Sequence, residues 1–327
     1  VTHENQGKVF GITDTDCLIT HGSIIRAILD YTVKALNGKG KIIIGDCPIQ
    51  GADWEKIMEL TSIKEVVSLY KGYSDIEIII KDYRLGKAVV KNGNIVARVV
   101  DEQAFKDYTE VDLFDKSLLL PLMDGKAEFG VVQYPKHRMQ KAHTLLNNKY
   151  LIHNDFLNSN VVINIPKMKS HMKAGITCAL KNFIGINGHK DYLPHFRYGS
   201  PKDGGDEYPD GGLLWDLMWY FAHKDWDLES GLKKRFYNFV RKVLAYIQVK
   251  IFGKDRMFAT VGGGGWYGND TLWRTILDIN RAFFYYDRKQ KKVITDPVNF
   301  PKYLAILDGI IGGDHEAPLA PDPIKSG

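Results

Sequence analysis

The run from Ile163 to Tyr198, INIPKMKSHMKAGITCALKNFIGINGHKDYLPHFRY, concentrates side chains that do chemistry: Lys167, Lys169, His171, Lys181, His189 and His195. Ammonium groups neutralise a carboxylate or phosphate, and an imidazole exchanges protons near neutral pH. His171 and Lys181 are the candidate catalytic pair, with Lys167, Lys169, Thr177 and Asn182 as substrate contacts. His189 and His195, followed by Asp203 and Asp206, offer a mixed nitrogen and oxygen donor set that suits a divalent cation. The alternative for Ser200 to Gly212 is a solvated loop, dense in Gly, Pro and carboxylates and unable to form a helix or strand. Asp14, Asp46 and Asp308 each follow a short apolar run, and Arg274 lies in a helical pattern. These four complete the substrate-binding candidates, although Asp14 serves equally as a cap for the next helix.

Positioning such groups requires strands that end at a common edge. Val161 to Ile165 reads as a buried strand closed by Pro166, so Lys167, Lys169 and His171 are expected to emerge from its end, where α/β sheets place ligands. Lys41 to Ile44 reads as another buried strand delivering Gly45 and Asp46, and Tyr303 to Leu307 as a last one delivering Asp308. Ile24 to Leu36 is an amphipathic helix stopped at Asn37-Gly38, and Ala52 to Tyr70 continues as a helix. Ile76 to Ile80 is a strand, and Tyr83 to Val100 contains a hairpin turning at Asn92-Gly93. The expected fold class is α/β, with mostly parallel sheets, flanking helices and two lobes separated by a cleft. An N-terminal lobe would span 1–140 and a C-terminal lobe 141–327, with the final strand able to return to the first.

Two stretches carry other readings. Gly231 to Arg256 holds eight basic residues against Asp255, with apolar residues at helical spacing. Such a helix can lie on an anionic membrane surface, or pack on the domain with a cationic outer face. Gly262 to Gly265, before the helix at Thr271 to Phe284, is either an anion nest or a sharp turn. His137, His143 and His153 read as surface or packing histidines.

The signature run resembles the family catalogued as domain of unknown function 362, whose members carry Pro-Lys-x-Lys-x-His, then Gly-x-Thr, Leu-Lys-Asn and Gly. GDCPIQGADW at Gly45 to Trp54, Lys190 to Pro209, Leu272 to Asn280 and Leu307 to Pro321 resemble it too, as does His143. Members of this kind are associated with prokaryotic surface-polysaccharide biosynthesis, so the resemblance implies work on a glycan pathway. More remotely, the order His171, Gly175, Thr177, Lys181, Gly185, His195 is similar to that of nickel-pincer lactate racemases. There a His, a Lys ten positions later that tethers the cofactor, and a downstream nickel-binding His line one cleft. His171 and Lys181 are also ten apart, but the Asp-x-Thr-Arg element of those enzymes is matched only by Thr13-Asp14-Thr15-Asp16, without the Arg.

Composition narrows the classes. The 327 residues are enough for two lobes, and 44% apolar with 25% charged residues is ordinary for a soluble protein. Cys17, Cys47 and Cys178 are scattered, which argues for a reducing compartment and against a four-thiolate iron-sulfur cluster. No apolar run reaches the roughly 18 residues that a span needs. The net charge of +5 is modest, and no basic patch with interleaved aromatics points to nucleic acid. No GxGxxG or GxxxxGK[ST] spacing cradles a nucleotide phosphate. The expectation is a cytoplasmic protein, peripheral at the inner membrane face through 231–256, acting on a small-molecule or lipid-linked anionic substrate. Its chemistry would be isomerase- or epimerase-like and metal-assisted; the alternative is a non-catalytic accessory protein of a membrane-associated glycan pathway.

Overall fold

The computed structural model describes residues 8–9, 12–13, 17–72, 75–91, 94–123, 128–209, 212–228, 230–252, 262–295, 302–316 and 320–325. Helices and strands alternate through them, as α/β patterning requires, but the sheets are small. One has four strands and the others two, and among the described residues antiparallel pairings outnumber the three parallel ones. The expected mostly parallel sheet is thus replaced by several short, mixed ones.

The N-terminal part is built on the strands Lys39–Asp46 and Asp75–Asp82, paired in parallel and in register from Lys39 against Asp75 to Asp46 against Asp82. Gly22–Leu36 packs Ile25 and Leu29 over Ile42, Ile44 and Ile80, and Asn37 closes that helix in the left-handed conformation (φ 47°). The single helix expected over Ala52 to Tyr70 is two, Trp54–Leu60 and Ile63–Ser68, broken where Ser62 turns left-handed (φ 49°). The break lets the Thr61 carbonyl press on Gly22, so closely that a Cβ there would sit 2.0 Å from its oxygen. Gly86–Lys91 and Asn94–Val100 form the expected hairpin; Asn92 and Gly93 themselves lie outside the described residues.

The larger apolar core belongs to the C-terminal part. Tyr150, Ile152, Phe183, Leu193, Ile276, Ile279 and Phe283 pack between the Lys149–His153 strand and the Leu272–Phe284 helix. Val161–Asn164 pairs in parallel with Lys302–Ala305, yet Val161 is exposed, so this strand is half-buried where full burial was expected. The next residues do not merely leave its end. Lys167–His171 is a strand of its own, held between Gly175–Thr177 and the long Asp308–Glu316 strand. Beyond it the Pro-rich tail forms the strand Ala320–Lys325, antiparallel to Asp308–Glu316. These last strands reach the N-terminal segment: the Cys17 thiol donates to the Pro321 carbonyl, and the His21 amide to the Asp308 carboxylate.

Candidate functional site

A strand alternates its side chains, so every second residue shares a face. In Lys167–His171 the buried positions are Lys167, Lys169 and His171, and half-buried Lys173 follows in the turn that leads to Gly175–Thr177. Two cations and an imidazole are thereby sent to the inner side of the sheet, an arrangement that folding alone penalises. Lys167 is neutralised there: its Nζ lies 2.7 Å from Asp308 Oδ2 and 3.2 Å from the Ile311 carbonyl. Lys169 Nζ donates to the Leu18 carbonyl at 2.7 Å, with no carboxylate bonded to it among the described residues.

The remaining groups act on one another. Burial pushes Lys169 down to about 8, with Asp46 pulling the other way and Lys167 adding to the fall. Burial pushes Lys181 down to about 7, helped by Lys190, Lys169 and Lys173 and opposed by Asp46. Lys173 falls to about 8 by burial, opposed by Glu207. His171 is pushed down to about 2 by burial and then by the charges of Lys181, Lys173, His195 and Lys169. His195 drops well below the ordinary histidine range by burial, with Lys173, Lys181 and Lys190 adding to it. Mutual repulsion of this kind means that the charges lie near one another in a poorly solvated region. Lys173, Lys181 and His195 nevertheless keep some solvent access.

Two carboxylates border this group. Asp46 ends the Lys39–Asp46 strand and accepts the Cys47 amide at 2.8 Å. Gly185 gives it room: a Cβ there would stand 2.4 Å from Asp46 Oδ1. Glu207 is fully buried, accepts from the Gly199 amide, and lies 2.8 Å from His223 Nε2. Burial pushes its carboxyl up against the pull of His223 and Lys173. Both acids are thus outnumbered by Lys169, Lys173, Lys181 and Lys190.

The imidazoles are fixed in complementary tautomers. His171 Nδ1 accepts the Lys173 amide at 3.1 Å, so the proton of the neutral ring sits on Nε2. His195 Nδ1 lies 2.7 Å from the Leu193 carbonyl, which only accepts, so its Nε2 carries a lone pair. One ring offers the site a donor and the other an acceptor.

The other candidates go elsewhere. His189 pairs with Asp191, with its ring against Gly86, and Asp191 faces Arg138 as well. Asp203 bonds Ser200, and Asp206 takes the Arg197 and Asp270 amides and the Thr271 hydroxyl. Of the four expected metal donors, only His195 joins the cationic group. Among the described residues no three or more His, Cys, Asp and Glu gather as metal ligands. Thr177 pairs across the sheet with Lys169 and its buried hydroxyl makes no hydrogen bond among the described residues. Asn182 donates to Asn164 as part of a scaffold that also ties Ala179 and Tyr303. Arg274 is committed to Asp270 and the Leu118 carbonyl. Asp14 lies outside the described residues. In the suspected anion nest the Gly264 amide donates to the Glu207 carbonyl and the Gly265 amide to the Gly262 carbonyl, while Asn269 Oδ1 caps the Thr271 and Leu272 amides at the helix start. His143 is a packing residue, bonded to the Tyr192 carbonyl and pushed down to about 4 by burial.

A model of the family described as Domain of unknown function (DUF362) matches residues 83–327. The chain belongs to this family. No curated protein and no solved structure matches the chain. The DUF362 match takes in His171, Lys173, Lys181, Lys190, His195 and Glu207 and leaves Asp46 outside it.

Sequence reasoning passed over Lys173, Lys190 and Glu207 as parts of the cationic site. Lys173 shares the run of Lys167, Lys169 and His171 but lies in the turn after their strand, where alternation no longer sets its direction. Lys190 and Glu207 sit in irregular segments whose direction no periodicity reveals.

Proposed function

We propose that this protein is an enzyme that binds a small hydroxylated anion, such as a sugar acid or a phosphorylated sugar precursor, and moves a proton on it in an isomerase- or epimerase-like step. The observation that carries this reading is the burial of Lys169 and His171 on one face of the Lys167–His171 strand, and their repulsion of Lys173, Lys181 and His195, opposed by Asp46 and Glu207, supports it. An anion held among these groups relieves the repulsion, and its binding energy grows with each cation it neutralises. Asp46 comes from residues 1–140 and the cations from 141–327, which supports a cleft between two such lobes as the substrate's seat.

In this reading Lys169 and Lys173 hold the carboxylate or phosphate. Lys181, tuned to about 7, has a free amine available near neutral pH and takes the proton from the substrate carbon. The electron pair of the broken C–H bond passes to the adjoining carbonyl as an enediolate, whose oxygen accepts a hydrogen bond from His171 Nε2–H. His195 Nε2 accepts from a substrate hydroxyl. Lys181 then returns the proton to the same carbon or to its neighbour. His171, first expected to shuttle the proton itself, is too weak a base at about 2 and acts instead as donor. The donors His189, Asp203 and Asp206 do not fit a shared metal with His195, so no step runs through one. Work in surface-polysaccharide biosynthesis at the inner face of a prokaryotic membrane is part of the proposal, since that pathway handles sugar acids and lipid-linked phosphates.

Incubation with a panel of 2-hydroxy acids, uronates and sugar phosphates in D2O tests it. Deuterium is expected at a carbon beside the carbonyl or carboxylate of at least one compound, lost in Lys181→Met and reduced in His171→Phe. Tight binding of such anions without exchange in any of them would leave the accessory, non-catalytic reading in its place.

A further inference from the structure

The helix Leu232–Phe252 packs Leu244, Ala245 and Tyr237 inward and still leaves a second apolar stripe outside. On its inner side Lys234 Nζ lies 3.1 Å from Asp225 Oδ1 and Arg241 Nε 3.9 Å from Asp225 Oδ2, and Gln248 is buried. On its outer side Leu232, Phe236, Phe239, Val243, Tyr246 and Ile247 recur at the three- and four-residue steps of one face, with Phe236 59%, Phe239 65% and Tyr246 63% exposed. A helix stabilised only by its own domain would bury these aromatics as well. The outer side carries exposed cations, as a packed helix with a cationic outer face would, and an apolar stripe among them. Lys233 lies on one flank and Arg235 and Lys242, two turns apart, on the other, Lys250 sits within the stripe near its C-terminal end with its ammonium over the Tyr246 ring, and no acid occurs between residues 232 and 252.

We infer that this face lies flat on an anionic lipid surface, with the aromatic and aliphatic stripe at the level of the acyl chains and Lys233, Arg235 and Lys242 among the headgroups. The charge pattern selects this occupant. A second copy meeting the same face across a two-fold axis would bring its cationic rims against these, and no acid on the helix would offset them. A bilayer of anionic headgroups over hydrocarbon complements both the rim and the stripe. The helix is not long and apolar enough to cross a membrane, so it rests in the interface. The inference goes beyond the catalytic proposal, and its test does not use the Lys181 site.

Flotation of the full chain with vesicles tests it, using phosphatidylcholine alone and phosphatidylcholine mixed with phosphatidylglycerol. The chain is expected to float with the anionic vesicles and not with the neutral ones, and to be released by high salt. Replacing Phe236→Asp and Phe239→Asp together should abolish flotation, and Lys233→Gln, Arg235→Gln and Lys242→Gln should each weaken it about fivefold at low salt. All five positions are exposed, so an unchanged circular dichroism spectrum is expected and separates lost binding from lost folding. Absence of flotation with anionic vesicles, or flotation of the double Asp variant equal to that of the native chain, would overturn the inference. So would a native dimer that the double variant converts to monomer without any lipid binding, which would assign the face to a second copy.

Discussion

Burial strips the His171 imidazole of its proton, and among the charges that add to this effect the Lys181 ammonium acts most strongly. The two residues, ten apart in sequence, are joined by a turn, the strand Gly175–Thr177 and the short helix Ala179–Asn182. Replacing Lys181 by Met removes that charge and should move the His171 titration upward, read from the ring-proton shifts in NMR. Lys181→Arg keeps a charge there and should leave His171 low. No movement in Lys181→Met would mean that the two groups do not share a cavity.

The same repulsion makes stability depend on pH. Lys169 and Lys173, lowered to about 8, and Lys181, lowered to about 7, bind fewer protons in the folded chain than in the unfolded chain from those values up to 10.5. Where the unfolded state binds more protons, stability rises with pH. The penalty is therefore fully present below the folded values and relieved as pH rises through them. The melting temperature of the native chain, minus that of Lys181→Met, should increase from about pH 6 to about pH 8.5. Added phosphate should flatten the rise, because a bound anion stabilises the protonated lysines. A difference that falls over this window would contradict the assignment.

Part of this arrangement was legible. Lys167, Lys169 and His171, clustered in one run, are buried together, and Asn37-Gly38 and Asn92-Gly93 marked a helix end and a hairpin. What periodicity could not reveal was which way irregular segments turn. His189 and Asp206 have the right chemistry for a metal, yet tertiary partners claim them: Asp191 for the first, and Arg197, Asp270 and Thr271 for the second. The strand pairing was misjudged for a related reason. Short apolar runs such as Val161 to Ile165 state that a strand exists and not which neighbour it takes. The basic helix had the correct period, but the buried Asp225 that draws Lys234 and Arg241 inward precedes the helix and leaves no mark on its pattern.

Gly185 tests the border of the site. A methyl at this position would meet Asp46 Oδ1 at 2.4 Å, well inside contact distance, so Gly185→Ala should push the carboxylate from its place. Asp46 is the acid that raises the proton affinity of Lys181, and its displacement should lower the Lys181 titration further. The pH at which activity or anion binding is half-maximal should fall in both Gly185→Ala and Asp46→Asn. An unchanged profile in both would separate Asp46 from the site.

Asp206 is expected to serve folding. It is buried, and it holds two amides and a hydroxyl that join the Phe196–Arg197 strand to the start of the Leu272–Phe284 helix. Asp206→Ala leaves those donors unsatisfied and should cost about 3 kcal/mol in urea unfolding. A loss below about 1 kcal/mol would show that the carboxylate is not needed for the fold.

The central claim is that Lys169, Lys173, Lys181 and the two imidazoles form one undercharged seat for an anion. Isothermal titration calorimetry with phosphate and with a 2-hydroxy acid, near pH 8 in buffers of differing ionisation enthalpy, addresses it most directly. If the seat is real, the anion restores protons to Lys169 and Lys173, lowered to about 8, so binding takes up protons from the buffer and disappears in Lys169→Met with Lys173→Met. Binding with no proton uptake, or binding that survives loss of both lysines, would contradict it.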